Sequence, residues 1–183
     1  MEYRLTTPCT AQDLAPLRAG DTVLLSGVVY TARDQAHKRM IEALDRGEPL
    51  PFDLEGSAIY YVGPTPERPG EVIGSAGPTT SGRMDAMSPR LLDLGNKIMI
   101  GKGKRDAAVK EAVVRNGAVY LAALGGAGAL MAKSGQTLEV IAWPGLGCEA
   151  VRRLTVQDMP LTVILDAHGG DLYLEGPEAY RNR

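Results

Sequence analysis

Apolar and polar positions along this chain follow two rhythms, short runs of strand length and stripes at helical spacing. The run Thr22–Ser26 reads as a strand, Gly27 closes it, and Val28-Val29-Tyr30 continues it. From Thr31-Ala32-Arg33-Asp34 the rhythm changes. Ala36, Met40, Ala43 and Leu44 share one stripe with Lys38, Arg39 and Glu42 outside it, which predicts a helix to about Asp45. Gly47-Glu48-Pro49-Leu50-Pro51 ends that helix. Upstream, Tyr3-Arg4-Leu5 reads as a short strand and Gln12–Leu17 as a weak helix.

The same alternation continues downstream. Ser57–Val62 and Glu71-Val72-Ile73 are strand-like, Leu91–Leu94 is helical with Gly95-Asn96 as its stop, and Lys97–Ile100 is a short strand. Arg105–Asn116 presents Ala108, Val109, Ala112 and Val113 on one helical face, and Val119–Leu124 is a buried-type strand. Gly125–Met131 reads as a tight turn or a close-packed helix start. Leu138–Trp143 then predicts a strand, Glu149–Leu154 a short helix and Leu161–Asp166 a final strand. Strands alternate with helices and the inner strands are nearly continuous apolar runs, which predicts an α/β fold with substantial parallel pairing. No repeat, low-complexity tract or linker interrupts the pattern, so residues 1–183 are expected to form one domain.

Composition narrows the function classes. Hydrophobic residues make up 44% of the 183, enough for a core, while aromatics at 5% make that core aliphatic. A net charge of -2 and a pI near 5.7 argue against a general nucleic-acid binder. No run approaches the ~20 apolar residues that a membrane span needs, and Met1-Glu2-Tyr3-Arg4 opens no signal segment. A soluble, cytoplasmic protein without membrane attachment is therefore expected. The two cysteines, Cys9 and Cys148, supply no complete zinc or iron–sulfur site.

Candidate chemistry centres on Gly74–Asp85, which holds three glycines, a proline, four hydroxyl side chains and Arg83. Pro78 stiffens a bend between flexible glycines, Thr79, Thr80 and Ser81 offer hydroxyls, and Arg83 offers a fork matched to a carboxylate or phosphate. An ordinary Gly-rich turn fits the stretch when it is taken alone. Arg33 and Lys102 also follow predicted strands, however, and ligands of parallel α/β folds sit at the carboxyl ends of strands. Three converging cations suit a substrate with two carboxylates. Elsewhere, Gly145-Leu146-Gly147-Cys148-Glu149-Ala150 matches GxGxxA before a predicted helix, with Asp166 further on, which leaves nucleotide binding as an alternative. His37 fits substrate binding and a structural hydrogen bond equally, His168 a structural turn, Cys148 a small buried residue, and Glu149 a helix cap or loop anchor.

Four stretches occurring in this order resemble a known family: Gly27–Arg39, Gly77-Pro78-Thr79-Thr80-Ser81-Gly82-Arg83-Met84-Asp85, Ile100-Gly101-Lys102-Gly103 and Gly125–Leu130. Together they are similar to the β subunit of class I, iron–sulfur-dependent fumarate hydratase and L(+)-tartrate dehydratase, the equivalent of the C-terminal domain of single-chain fumarases. The likeness runs from about Leu5 to Tyr173. It implies a single swivelling β/β/α domain and an α subunit, as a heterodimer or its dimer, whose three cysteines hold a 4Fe–4S cluster not ligated by this chain. It also implies reversible hydration of a C4 dicarboxylate, fumarate to L-malate first, with L-tartrate and mesaconate as alternative substrates. By that resemblance Arg33, Thr80, Arg83 and Lys102 bind the dicarboxylate and Thr79 is the catalytic base. The turn Ala167-His168-Gly169-Gly170-Asp171 departs from relatives that often carry asparagine there, and a separate subunit rather than the fused form is expected, since the sequence ends soon after the shared region. A non-catalytic assembly subunit stands as the alternative of another class.

Overall fold

The computed structural model describes residues 1–123 and 128–181. Seven strands form one sheet in the order β1-β2-β3-β4-β5-β7-β6, with a further β2–β7 pairing that curls it into a small barrel. Glu2–Thr6 (β1), Thr22–Thr31 (β2), Ala58–Tyr60 (β3), Ile98–Gly101 (β4) and Val119–Ala123 (β5) run parallel to their neighbours. Gly135–Ala142 (β6) and Val151–Leu165 (β7) run antiparallel, and β7 touches β2, β5 and β6 along its length. The helices are Ala11–Leu14 (α1), Asp34–Asp45 (α2), Ser88–Asp93 (α3), Ala107–Asn116 (α4), Gly128–Lys133 (α5) and Leu172–Arg181 (α6).

The continuous apolar runs of β3, β4 and β5 have a direct cause, because both faces of these strands are buried. Ala58, Tyr60, Ile98, Ile100, Val119 and Leu121 point into one core with Val23, Leu25, Leu154 and Leu161. Their neighbours Ile59, Tyr61, Met99 and Tyr120 point the other way, against Met40 of α2, Leu91 and Leu92 of α3 and Val109 and Val113 of α4. Local chemistry sets the ends of several helices. Thr10 and Asp13 form a capping box on α1, the Asp106 carboxylate accepts from Val109 N–H at the start of α4, and Gly117 ends α4 in the left-handed conformation.

Two expectations are overturned, and a third holds as part of a longer element. Val72 and Ile73 form no strand; the stretch is an irregular part of the long connection between β3 and the turn at Ser81–Met84. Glu149–Leu154 is not a helix, because Val151 already begins β7 and alternating burial favours strand there. The predicted final strand at Leu161–Asp166 is the second half of that same 15-residue β7. Parallel pairing is accordingly only part of the sheet, and α6 lies beyond any periodic segment read from sequence. Of the predicted turn at Gly125–Met131, residues 125–127 lie outside the described residues, as does residue 124 at the end of the predicted strand before it, and α5 begins at Gly128.

Candidate active site

The Gly74–Asp85 loop is a fixed structure laid across the carboxyl ends of β3 and β4. Thr79 N–H donates to Tyr61 O at 2.8 Å, Pro78 bridges Val62, and the buried Tyr60 hydroxyl donates to Ala76 O. One residue later, Thr80 pairs with Lys102 in a parallel bridge, and Ser81 N–H donates to Lys102 O at 2.9 Å. Ser81 is fully buried, and its Oγ accepts from Lys102 N–H at 3.0 Å and from the Tyr120 hydroxyl at 2.9 Å. This clasp needs Gly101, since a Cβ there would overlap Ser81 Oγ and crowd the Tyr61 ring at 2.9 Å. A strand end and a loop are thereby locked in register, which sets Thr79, Thr80 and Lys102 side by side.

Arg83 sits in the short 3-10 turn Ser81–Met84, and a buried charge holds that turn from behind. Arg105 is 5% exposed and lies 5.3 Å and 4.9 Å over the rings of Tyr61 and Tyr120. Its Nε donates to Asp85 Oδ1 at 2.6 Å and its Nη2 to Ser88 Oγ at 2.9 Å. The second oxygen of Asp85 accepts from Asp106 N–H at 2.8 Å, so one carboxylate ties the end of the loop to the start of α4. Burial works against the Arg105 charge, but Tyr61, Asp85 and Tyr120 outweigh it and raise its pKa. The sequence marks Ser81 only as one hydroxyl of the loop and does not mark Arg105 at all. Only their placement beside Thr80 and Lys104 could have hinted at the role.

Arg33 stands at the head of α2, beyond the end of β2, with Asp34 at 3.5 Å and Glu149 at 3.8 Å. Burial alone would raise the Asp34 carboxyl. A bond from its own backbone N–H, contact with Glu149, and the charges of Arg33 and Arg83 together hold it below the ordinary value. The charge of Arg83 thus acts on the same carboxyl as that of Arg33. Thr80, Arg83 and Lys102 are exposed, Thr79 and Arg33 partly so. Among the described residues neither Arg83 nor Lys102 enters an ion pair.

The remaining candidates resolve into structural roles. His37 is buried, and its Nδ1 donates to Arg33 O at 2.9 Å. Burial pushes its imidazole down from 6.5 to about 4. An unfolded chain therefore takes up this proton near pH 6.5 and the folded one only near pH 4. The stability is intact above that window and falls by about 3 kcal/mol as pH drops through it. Melting the wild type and a His37→Gln variant at pH 7 and pH 4.5 should show the wild type losing more stability on acidification. Asp166 accepts from the backbone N–H groups of Ala19, His168 and Gly170 rather than waiting for a ribose, and His168 Nε2 bonds Ala15 O. Gly145–Ala150 is followed by a strand, so it lacks the helix a dinucleotide fold requires, and Arg152 binds the carbonyls of Gly147, Cys148 and Ala150. Cys148 is exposed, not buried, while Cys9 is buried with its thiol pushed up to about 11 by burial and by Asp13. Among the described residues no group of three or more His, Cys, Asp or Glu side chains could hold a metal, and none of their helices is long and apolar enough to cross a membrane.

The family model described as Fumarase C-terminus matches residues 1–176. The chain is 40% identical to a putative L(+)-tartrate dehydratase subunit beta of Methanocaldococcus jannaschii, covering 96% of this chain and 92% of that protein. It is 35% identical to L(+)-tartrate dehydratase subunit beta of Escherichia coli, across 100% of this chain and 92% of that one. Fumarate hydratase 2 of Leishmania major is 39% identical over 88% of the chain, which spans only 29% of that longer relative.

Proposed function

The chain belongs to the fumarase C-terminus family, and from that premise we propose that it is the β-type subunit of a two-subunit hydro-lyase acting on a C4 dicarboxylate. The reaction is reversible addition of water to fumarate giving L-malate, with L-tartrate or mesaconate as the substrates that related chemistry admits. The observation that carries this reading is the rim itself. Arg33 and Lys102 follow the ends of β2 and β4, Lys102 pairs with Thr80, and Arg83 lies in the turn just after Thr79 and Thr80, which supports a shared rim where ligands of such sheets bind. Two carboxylates on a short carbon chain need cations on two sides, and Arg33 and Arg83 offer planar forks for them. Thr80 and Lys102 orient the substrate between those forks.

Thr79 is assigned the proton at the reacting carbon. Its backbone N–H is fixed on Tyr61 O, so its position is set. A threonine hydroxyl is a weak base, and it needs a charged or accepting neighbour to pass the proton on. With only two cysteines, Cys9 buried with its thiol on Thr6 O and Cys148 far from it in sequence, this chain does not fit an iron–sulfur cluster of its own. The 4Fe–4S cluster is assigned to an α subunit, where its open iron would supply Lewis-acid activation of the hydroxyl that leaves. No role given to this chain depends on ligating it. The exposure of Arg83, Lys102 and Thr80 supports a site completed by the partner, and a domain that swivels against that partner could close it to water. Two unpaired cysteines suit a reducing compartment such as the cytoplasm.

Anaerobic co-expression with an α-type chain, cluster reconstitution and assay of fumarate, malate, mesaconate and L-tartrate tests the proposal. Turnover that requires both chains is the expected result and names the substrate. A stable, cluster-loaded complex that turns over none of these diacids would favour a non-catalytic assembly subunit instead.

A further inference from the structure

Helix α2 begins without the cap its own sequence should supply. Its N-cap residue is Arg33, whose side chain cannot accept a hydrogen bond and makes no capping contact. The missing acceptor arrives from the turn before β7. Glu149 Oε1 accepts from Gln35 N–H at 3.2 Å, across a sequence separation of 114 residues. The same oxygen lies 3.8 Å from Arg33 Nε, close enough for attraction between charges but too far for a hydrogen bond. Among the described residues the buried Arg33 Nε has no hydrogen-bond partner, nor has the buried Asp34 Oδ1, 3.5 Å from Arg33 Nη2. Two carboxylates therefore hold the guanidinium without consuming its donors. Gly63 forms a third wall: a Cβ there would lie 3.1 Å from Arg33 Cδ, 3.2 Å from Nη1 and 3.1 Å from Cys148 O.

We propose that Glu149 is a positioning residue, which fixes Arg33 at the head of α2 with its guanidinium fork held open for a carboxylate of the diacid. The proposal rests on the reading of Arg33 as a substrate-binding residue. With Nε buried against Glu149 and the side chain 22% exposed, the terminal nitrogens are the donors left open, and a substrate carboxylate is a matching acceptor. Glu149 itself is committed to Gln35 N–H and in contact with Asp34, so it does not compete for the fork. It reaches the corner because β7 is long enough to bring the preceding turn back over α2. Gly63 serves the same end by leaving a slot the width of the arginine stem.

The test uses the chain assembled with its partner subunit and succinate, a saturated C4 diacid that can be neither hydrated nor dehydrated. Glu149→Gln keeps an oxygen for Gln35 N–H and removes only the charge. It should weaken succinate binding about tenfold, or about 1.4 kcal/mol, at an unchanged melting temperature, and raise KM more than it lowers kcat. Combined with Arg33→Ala it should weaken succinate no further than Arg33→Ala alone. Gly63→Ala, which displaces the arginine while leaving Glu149 in place, should weaken succinate as well. If Arg33→Ala weakens succinate but Glu149→Gln binds it as tightly as wild type or tighter, positioning by Glu149 is refuted and the reading of Arg33 stands. If Arg33→Ala itself leaves succinate affinity unchanged, both fall.

Discussion

Replacing Arg83 with alanine should lower turnover of the assembled enzyme by about 10²–10³-fold, the loss expected when one preorganised electrostatic contact to a reacting group is removed. The chain itself should fold as before. Arg83 is exposed and, among the described residues, forms no ion pair, and substitution of such a side chain shifts stability by roughly 0.5 kcal/mol or less. The 3-10 turn that carries it is held by Ser81, Asp85 and Arg105, none of which uses the Arg83 side chain. Activity and melting temperature should therefore separate cleanly. Arg90→Ala is the matched control, since it removes an exposed arginine from a surface pair with Asp45 and should alter neither quantity appreciably. Near-normal turnover of the reconstituted Arg83→Ala variant would remove the rim from the active site.

Asp85→Ala should have the opposite signature, with folding stability down by about 3–5 kcal/mol, the usual loss when one member of a buried ion pair is removed. Arg105 has no exposed side-chain surface, and Asp85 is its charge partner at 2.6 Å. Alanine leaves that guanidinium stranded between Tyr61, Tyr120 and Met99 and frees Asp106 N–H at the start of α4. Removing both charges is a milder change. The double variant Asp85→Ala/Arg105→Met should recover part of the loss, because no unpaired charge stays buried. Urea midpoints of the three proteins decide the matter. An Asp85→Ala chain as stable as wild type would mean that water or the tyrosine hydroxyls carry the guanidinium without help.

What could be read from the sequence depended on how far each signal reaches along the chain. Helix α2 and strands β2, β4 and β5 announce themselves through local periodicity, and the Gly77–Asp85 motif through its composition. Arg33, Thr79, Thr80, Arg83 and Lys102 could be placed on loops after strands, although the strand before Arg83 proved to be β3 rather than Val72-Ile73. The reading of Glu149–Leu154 as a helix fails because Val151 and Leu154 alone, three positions apart, suit a helix, and only pairing with β2 and β6 fixes the stretch as strand. Ser81, Arg105 and Gly63 gain their roles mainly from residues 17 or more positions away, so no local pattern marks them. Asp166 shows the converse. Its spacing suggested a ribose contact, and its actual partners are three backbone N–H groups.

Closure of the barrel by β7 also sets an order of events during synthesis. Val29 of β2 pairs with Leu154, and Thr22 with Thr162, so one edge of β2 has no partner until the last quarter of the chain leaves the ribosome. At ~5–20 residues per second, that edge stays open for several seconds after β2 itself emerges. Such distant pairing slows folding and leaves a strand edge open to intermolecular pairing. Nascent chains halted before Val151 should accordingly be the aggregation-prone species, and recruitment of chaperones to stalled chains should drop once Leu165 is exposed.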